Sequence, residues 1–385
     1  MSNNTVSVAA NIWDWVSCTV YLNDEQRNKL DKWKSGEKHL TFNQLEAFSK
    51  ATRIPIGYFL LKTPPTEVFK ILEYRTVDSV AVSNPSRELA DTIRQMESIQ
   101  DWMREYMLQN NSDKIAFVDS LNTSMSVADI AADIRNRLNI TEKWFERSSN
   151  IDESFRLLRD KISQMGIIVM MNGTALGNTH RPLSVDEFRA FTLIDEYAPL
   201  IFINATDSSG GKLFSLLHET VHIALGANSF FNQPISNTDG VSRVETISNA
   251  AAAEILAPTP VFTERWNKTV KDTSTFALVE QLMGYFKCGA VVIARRALDS
   301  GFISQDEYNA FAKEAREKYT KAKQDKTSGG GNYYVTAKSR IDNRFMLALE
   351  SSVREGRLLF TDAYRMTNTN IDTFNKLAKE MTAGV

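Results

Sequence analysis

Two histidines and the glutamate between them form the strongest chemical pattern in this sequence. His218, Glu219 and His222 stand in HETVH, within the run LFSLLHETVHIALG, whose apolar spacing predicts a helix. Residues four apart on a helix differ by about 40° around its axis, so both imidazoles would face one side and suit Zn²⁺. Glu219 would point about 100° away from His218, where a carboxylate can act as general base toward a water molecule. The pattern therefore predicts a zinc site with Glu219 as catalytic residue.

A catalytic zinc site also needs a third protein ligand and an open fourth position. No third histidine follows at the spacing HExxHxxGxxH, so a carboxylate on a nearby helix is expected. Residues 244–258 offer two candidates, Glu245 and Glu254. These two residues lie on opposite sides of a helix and cannot both serve one site, whereas Glu245 shares its face with Asn249. The four alanines between Asn249 and Glu254 would let this helix approach the first one closely.

Composition limits the remaining classes of protein. The 385 residues carry 45 Lys and Arg against 47 Asp and Glu, a net charge of −2, and 43% are hydrophobic. At roughly 100–200 residues per domain, this length predicts two to four structural units with real cores. The balance of charge and apolar residues argues against extensive disorder and against a mainly electrostatic nucleic-acid binder.

The cysteines and the apolar runs exclude further classes. Cys18 and Cys288 are the only two cysteines, so a disulfide framework, a cysteine-based zinc site and an iron–sulfur cluster are excluded. The first residues lack the pattern of a secretory signal, and no apolar run approaches the ~18 residues that span a membrane. We therefore expect a cytoplasmic protein with no membrane partner.

Changes in the pattern along the chain predict four parts, and strands are expected mainly in the third. The predicted parts are an N-terminal region of short helices, a helical connector, a domain with strands and the HETVH helix, and a helical C-terminal domain, at residues 1–65, 66–165, 166–265 and 266–385. The third part should contain two buried strands and two helices, at residues 166–171, 198–204, 213–224 and 244–256. A further strand is expected at residues 332–336. The fold class is therefore α+β, predominantly helical, with a small sheet beside the HETVH helix.

HETVH followed by VETISNAAAAEILAP resembles the ImmA/IrrE-type metallo-endopeptidases. In that family HExxH is followed by Glu-x-x-x-Asn-x-x-Ala-x-Glu and a proline, which Glu245, Asn249, Ala252, Glu254 and Pro258 match. The resemblance implies a zincin-like, gluzincin-like peptidase core, with Glu245 as the third zinc ligand. Softer landmarks extend it over nearly the whole chain: Trp33-x-x-Gly36, Gln44-Leu45, Pro55-x-Gly-Tyr-Phe, Tyr74-Arg75-Thr76, Glu187-Phe188-Arg189, Arg295-Arg296 and Gly330-Gly331-Asn-Tyr-Tyr.

Larger members of that family place an XRE-type helix-turn-helix before the peptidase, and residues 1–65 resemble it in part. This region is short, its stretch Lys38-His39-Leu40-Thr41 lacks the usual proline before Thr41, and its few cations are interleaved with acids. Two interpretations stay open: DNA binding, or a remnant fold used for packing or for recognising a protein partner. Residues 286–296 also resemble a helix-turn-helix, with a packed helix pair as the alternative.

Five further residues have more limited expectations. His180 and Arg189 are candidates for positions just outside the ligand set, as is Asn249, and His180 could stabilise an oxyanion. His39 is expected at the surface. Cys288 is expected to be a small buried hydrophobe, because no histidine lies near it in sequence to activate a thiolate.

These residues predict a hydrolase, a zinc-dependent endopeptidase. The family resemblance implies a protein substrate, typically a repressor or another DNA-binding regulator in transcription, stress or mobile-element control. The strand at residues 200–204 could pair with an extended substrate. The alternative is a toxin–antitoxin or transcription-regulator component that acts mainly by binding protein or DNA, with a structural or degenerate zinc site.

Overall fold

The structure, a computed structural model, divides into two compact units. It describes the following stretches: residues 5–20, 22–52, 54–65, 85–227, 229–231, 243–269, 274–325 and 333–382. One unit comprises residues 1–73 with 80–94, and the other comprises residues 74–79 with 95–385. Within the described stretches most residues are helical and the strands are short, which confirms the predicted class, α+β and predominantly helical. The predicted division at residues 65, 165 and 265 stays a prediction.

The N-terminal unit is a set of short helices around an aromatic core. Its first elements are β1 (Thr5–Val6), α1 (Ala10–Thr19), α2 (Asp24–Lys34), β2 (Leu40–Thr41), α3 (Phe42–Thr52) and α4 (Ile56–Phe59). A capping box marks the start of α3, since Thr41 Oγ1 accepts from Gln44 N while Gln44 Oε1 accepts from Thr41 N. Trp13, Phe48 and Phe59 pack ring against ring at the centre. The helix-turn-helix identity of this unit stays a prediction.

Helices make up most of the rest of the described chain. They are α5 (Arg87–Gln109), α6 (Val127–Arg137), α7 (Ile151–Gln164), α8 (Ser209–Ala224), α9 (Arg243–Leu256), α10 (Thr259–Thr269), α11 (Thr275–Phe286), α12 (Ala290–Asp299), α13 (Gln305–Asp325), α14 (Tyr333–Arg340), α15 (Asn343–Arg354), α16 (Phe360–Thr367) and α17 (Ile371–Thr382). Short 3₁₀ turns occur at Trp144–Arg147 and Ala175–Gly177.

The strand predicted at residues 332–336 is wrong where the structure describes it. Residues from Tyr333 onward form α14, and residue 332 lies outside the described stretches. Ala337 of this helix is buried. The aromatic pair that suggested a strand therefore begins a helix.

One four-stranded sheet lies behind the HETVH helix. Its strands are β3 (Ile168–Asn172), β4 (Ala190–Leu193), β5 (Leu200–Asn204) and β6 (Ser229–Phe231), in the order β3-β5-β4-β6. β3 and β5 are parallel, and the other two pairings are antiparallel. The two strands predicted from the apolar runs are confirmed as β3 and β5. β4 and β6 were not predicted, because runs of four and three residues give little periodicity.

The order of the strands overturns one expectation about substrate binding. β5 lies inside the sheet, with β3 on one side and β4 on the other, so residues 200–204 cannot pair with an extended substrate. The outer side of β3 is also occupied at Val169. Its N–H donates to Asp342 Oδ2 at 3.1 Å, and Arg159 Nη2 donates to its carbonyl at 2.7 Å. The predicted docking strand is therefore wrong.

The helix α8 is enclosed by the sheet and by other helices. It packs on β4 and β5, on α7 and on α9, and all residues from Leu213 to Ala224 are buried. Ala251, Ala252 and Ala253 of α9 are buried as well, and their small side chains let α9 pack between α8 and α6. The expected close approach of the two helices is confirmed.

Two helices meet within the stretch at residues 286–296, and the choice between a helix-turn-helix and a plain packed helix pair stays a prediction. α11 ends at Phe286, α12 begins at Ala290, and the two helices meet at 112°. The buried apolar residues of both helices belong to the same core as α8. Together the pair has the apolarity of a membrane span, but no single helix in the described stretches is long and apolar enough to cross a membrane.

Candidate metal centre and active site

A capped N-terminus fixes the start of α8. Ser208 accepts a hydrogen bond from Gly211 N at 3.0 Å, so the helix begins four residues before the predicted residue 213. Arg189 Nη1 donates to both oxygens of Asp207 at 2.7 Å, which ties the start of β4 to the start of the helix. A Cβ on Gly211 would clash with the Asp207 carboxylate and displace it from Arg189. Arg189, a candidate for a position just outside the ligand set, thus pairs with Asp207.

The other end of α8 is fixed by a left-handed residue. The helix ends at Ala224, and Gly226 follows with φ +64°. The predicted end of this helix at residue 224 is confirmed. Between its two ends the helix carries His218 and His222 one turn apart on one face, as the spacing predicts.

The structure brings the three predicted metal ligands together. Nε2 of His218 lies 3.1 Å from Nε2 of His222. One oxygen of Glu245 lies 3.3 Å from His218 Nε2, and its other oxygen lies 3.2 Å from His222 Nε2. Both histidines are buried, and the Glu245 side chain is 25% exposed. In the described part of the chain this is the one His/Cys/Asp/Glu group that could hold a metal ion.

The spacing of these donor atoms fits a tetrahedral zinc ion. Two ligand atoms that each lie about 2.0–2.1 Å from such an ion are about 3.3–3.4 Å apart. The three observed separations of 3.1–3.3 Å come close to this value without any rearrangement of the chain. Two imidazole nitrogens and a carboxylate oxygen are also a ligand set that zinc accepts. The residues present therefore fit the metal that the sequence predicts.

The surroundings of His222 and Glu245 shift the pKa values of these two groups. Burial alone would lower the pKa of His222, but the hydrogen bond and the charge of Glu245 outweigh burial and raise it. Burial alone would raise the pKa of Glu245, but the two imidazoles outweigh burial and lower it. The metal-free cluster therefore favours a protonated imidazole beside an ionised carboxylate. A metal ion must displace that proton in order to bind.

Glu219 lies beside the cluster and is completely buried. Its side chain has no exposed surface, and burial raises the pKa of its carboxyl group. Thr192 Oγ1, on β4, donates to Glu219 Oε2 at 2.5 Å. Sequence reasoning missed Thr192, although a lone hydroxyl in the apolar run AFTL was a signal for it. The candidate general base is thus anchored to the sheet and closed off from solvent in this conformation.

Glu254 faces a different partner, which separates it from the metal cluster. Its carboxylate pairs with Arg296 of α12 and accepts from Thr259 N at 3.0 Å. Arg296 also donates to the carbonyl of Ala257 at 3.0 Å. Of the two glutamates on α9, Glu245 is therefore the one at the histidines, and Glu254 holds α9 to α12.

The remaining residues singled out in the sequence lie outside the group of three metal ligands. Asn249 lies one turn after Glu245, and its Oδ1 is buried with no hydrogen bond from the described residues. His180 is exposed in the loop after β3, where its N–H donates to Asn178 Oδ1. His39 is exposed as expected. Cys288 is buried, and burial raises the pKa of its thiol, which confirms the expected buried hydrophobe. The structure thus brings neither His180 nor Cys288 into the metal cluster.

Comparison with known families bears on this part of the chain. Residues 164–298 match the Peptidase_M78 family, described as an IrrE N-terminal-like domain. Residues 341–380 match a domain of unknown function, DUF8813. No curated protein and no solved structure matches the chain.

The Peptidase_M78 match includes α8, α9 and the residues His218, Glu219, His222 and Glu245. It supports the predicted ImmA/IrrE-type resemblance and, in coarse terms, an enzyme of the metallopeptidase type. Its N-terminal limit at residue 164 lies next to the predicted start at residue 166, whereas its C-terminal limit at residue 298 lies within α12, beyond the predicted end at residue 265.

Proposed function

We propose that this protein is a zinc-dependent endopeptidase. The observation that carries the proposal is the convergence of His218 Nε2, His222 Nε2 and the Glu245 carboxylate within 3.1–3.3 Å, beside the buried carboxylate of Glu219. The Peptidase_M78 match over the same residues supports it. The chemistry follows from these four side chains.

Each side chain has a separate task in peptide hydrolysis. His218, His222 and Glu245 would hold the ion. Zinc bound there supplies Lewis-acid chemistry, polarising a peptide carbonyl and acidifying a water molecule. Glu219 accepts the proton of the attacking water and later delivers it to the leaving amine. Burial favours this exchange, because it raises the pKa of the Glu219 carboxyl group and a carboxylate with a raised pKa is a stronger base.

The proposed substrate is a protein, of the repressor or other DNA-binding regulator type. The ImmA/IrrE resemblance of the HETVH and VETISNAAAAEILAP segments supports this substrate class. Since Glu219 and His218 have no exposed surface, a scissile bond reaches them only after the packing around α8 and β4 opens. Such a requirement would keep the enzyme from cutting proteins indiscriminately.

The test compares cells that express the wild-type chain, Glu219→Gln or the control Glu264→Gln. New protein N-termini are mapped by mass spectrometry, and zinc is measured in each purified protein. The amide introduced by Glu219→Gln cannot accept the proton, so cells with this variant should lack the wild-type cleavage products while zinc content stays unchanged. Glu264 is an exposed residue of α10, and its variant should cleave like the wild type.

Two results would contradict the proposal. One is a set of new N-termini in Glu219→Gln cells that equals the wild-type set. The other is the absence of any cleavage product that depends on the wild-type protein. Either result would favour the alternative role, in which the chain acts by binding protein or DNA.

A further inference from the structure

A single polar residue interrupts the apolar strand β4. The strand reads Ala-Phe-Thr-Leu, and all four residues are buried. Thr192 is paired through its backbone with Ile201 of β5 and with Ser229 of β6. Because its strand has a neighbour on each side, the direction of the Thr192 side chain is set by the sheet. That direction carries the hydroxyl to Glu219 on α8.

Burial alone does not favour threonine at this position. Valine has nearly the same shape and no hydroxyl, whereas a buried hydroxyl without a partner costs free energy. Thr192 has no exposed surface, and its hydroxyl donates to Glu219 Oε2 at 2.5 Å. A hydrogen bond to a carboxylate is stronger than one between neutral groups, so it offsets the desolvation of the hydroxyl. The polar atom at residue 192 is thus explained by Glu219.

We propose that Thr192 is a positioning residue that holds the carboxylate of Glu219 in its catalytic orientation. This inference rests on the proposed function and assigns a role to a residue outside the HETVH and VETISNAAAAEILAP segments. Thr192 acts through Glu219 and takes no part in the metal cluster, whose donor atoms belong to residues 218, 222 and 245.

The physical reason lies in the difference between the two side chains. A glutamate has several rotatable side-chain bonds, and a general base works only when its oxygen is held within hydrogen-bond reach of the proton it takes. Threonine is branched at Cβ and stiff at χ1, so its hydroxyl is a fixed donor once the strand is in place. By donating to Oε2, Thr192 restricts the rotation of the carboxylate. The sheet thereby sets the position of the base.

The test uses three substitutions at one position: Thr192→Val, Thr192→Ser and Thr192→Ala. The probe is a synthetic peptide that spans a cleavage site defined by comparing wild-type with Glu219→Gln cells. Thr192→Val keeps the shape and loses the donor, so kcat should fall about tenfold to a hundredfold while KM and zinc content stay near wild type. Thr192→Ser keeps the donor and should recover kcat to within a few-fold of wild type.

The serine and alanine variants decide the question even if Thr192→Val folds poorly. Both lack the methyl group, and they differ by the hydroxyl alone, so kcat should be higher for serine by a similar factor. Equal kcat for serine and alanine, or a wild-type kcat for Thr192→Val, would overturn the inference. A loss of zinc that accounts for the whole fall in kcat would also overturn it.

The outcome separates this inference from the proposed function. If Glu219→Gln is inactive and Thr192→Val cleaves like the wild type, only the positioning role fails. If Glu219→Gln itself cleaves like the wild type, the proposed function fails, and the role of Thr192 fails with it.

Discussion

At the scale of single residues, the two glutamates of α9 have different partners. Glu245 lies at the two histidines, and Glu254 pairs with Arg296. Spacing alone left Glu245 and Glu254 open as third ligand, since each lies on a face of its own. The family resemblance implied Glu245, and the structure places Glu245 at the histidines. The environment of Glu254 could not be predicted, because its partner Arg296 lies 42 residues further along the chain. A contact between distant residues leaves no periodic pattern in the sequence.

The pairing of Glu254 with Arg296 leads to a prediction about stability. Arg296→Met removes one partner of a buried ion pair and leaves the carboxylate of Glu254 without its counter-charge. We expect a loss of about 3–5 kcal/mol in the free energy of unfolding. Urea unfolding measures the loss, with the zinc concentration held fixed because a bound metal also stabilises the fold.

The neighbouring arginine provides a matched control. Arg295 is partly exposed and pairs with Asp299 one turn away at 2.9 Å, so Arg295→Met should cost less than about 1 kcal/mol. Equal losses in the free energy of unfolding for the two variants would show that the buried ion pair contributes no more to stability than the exposed pair. A loss below about 1 kcal/mol for Arg296→Met would show the same.

At the scale of elements, long periodic segments were predictable and short ones were not. The helices α8 and α9 begin and end within a few residues of their predicted limits, because their apolar spacing and terminal residues agree. β4 and β6 were missed because strands of four and three residues are specified by their neighbours. Thr192 was missed for the same reason, because its role depends on β4, a strand that the sequence pattern does not predict.

Asp342 joins the sheet to the C-terminal helices and provides a second stability prediction. Asp342 caps α15 by accepting from Arg344 N and Phe345 N, and its other oxygen accepts from Val169 N of β3. Asp342→Ala therefore removes a helix cap and leaves a buried strand amide unsatisfied. We expect a loss of about 1–3 kcal/mol in the free energy of unfolding.

An exposed aspartate on the next helix is the control for that variant. Asp362 lies in the first turn of α16 and pairs with Arg365 at 3.4 Å on the surface. Asp362→Ala should change stability by less than about 0.5 kcal/mol in the same urea titration. If Asp342→Ala costs no more than Asp362→Ala, the capping and strand-edge role of Asp342 is wrong.

At the scale of the whole molecule, the family matches and the compact units divide the chain differently. The Peptidase_M78 and DUF8813 matches, at residues 164–298 and 341–380, fall within one compact unit. Arg159 helps to explain this, because it donates both to Val169 in the sheet and to the carbonyl of Ile341. The sequence predicted a helical C-terminal part, but composition could not show that it packs on the edge of β3.

The DNA binding predicted for the N-terminal unit would depend on the cations of that unit. Three lysines of this unit pair with acids at its surface: Lys29 with Glu25, Lys34 with Asp14 and Lys50 with Glu46. Such pairs compete with phosphates for the same cations. The interleaving of charges that was visible in the sequence therefore persists as ion pairs in the folded unit.

The central claim is that two imidazoles and one carboxylate hold a single zinc ion. X-ray absorption at the zinc edge, combined with metal analysis of the wild type and of Glu245→Ala, tests it most directly. We expect one zinc ion per wild-type chain, with two nitrogen donors and a carboxylate oxygen donor at about 2.0–2.2 Å, and clearly less zinc in Glu245→Ala. A wild-type protein that binds no zinc, or a Glu245→Ala variant with wild-type zinc content and ligand distances, would contradict the claim.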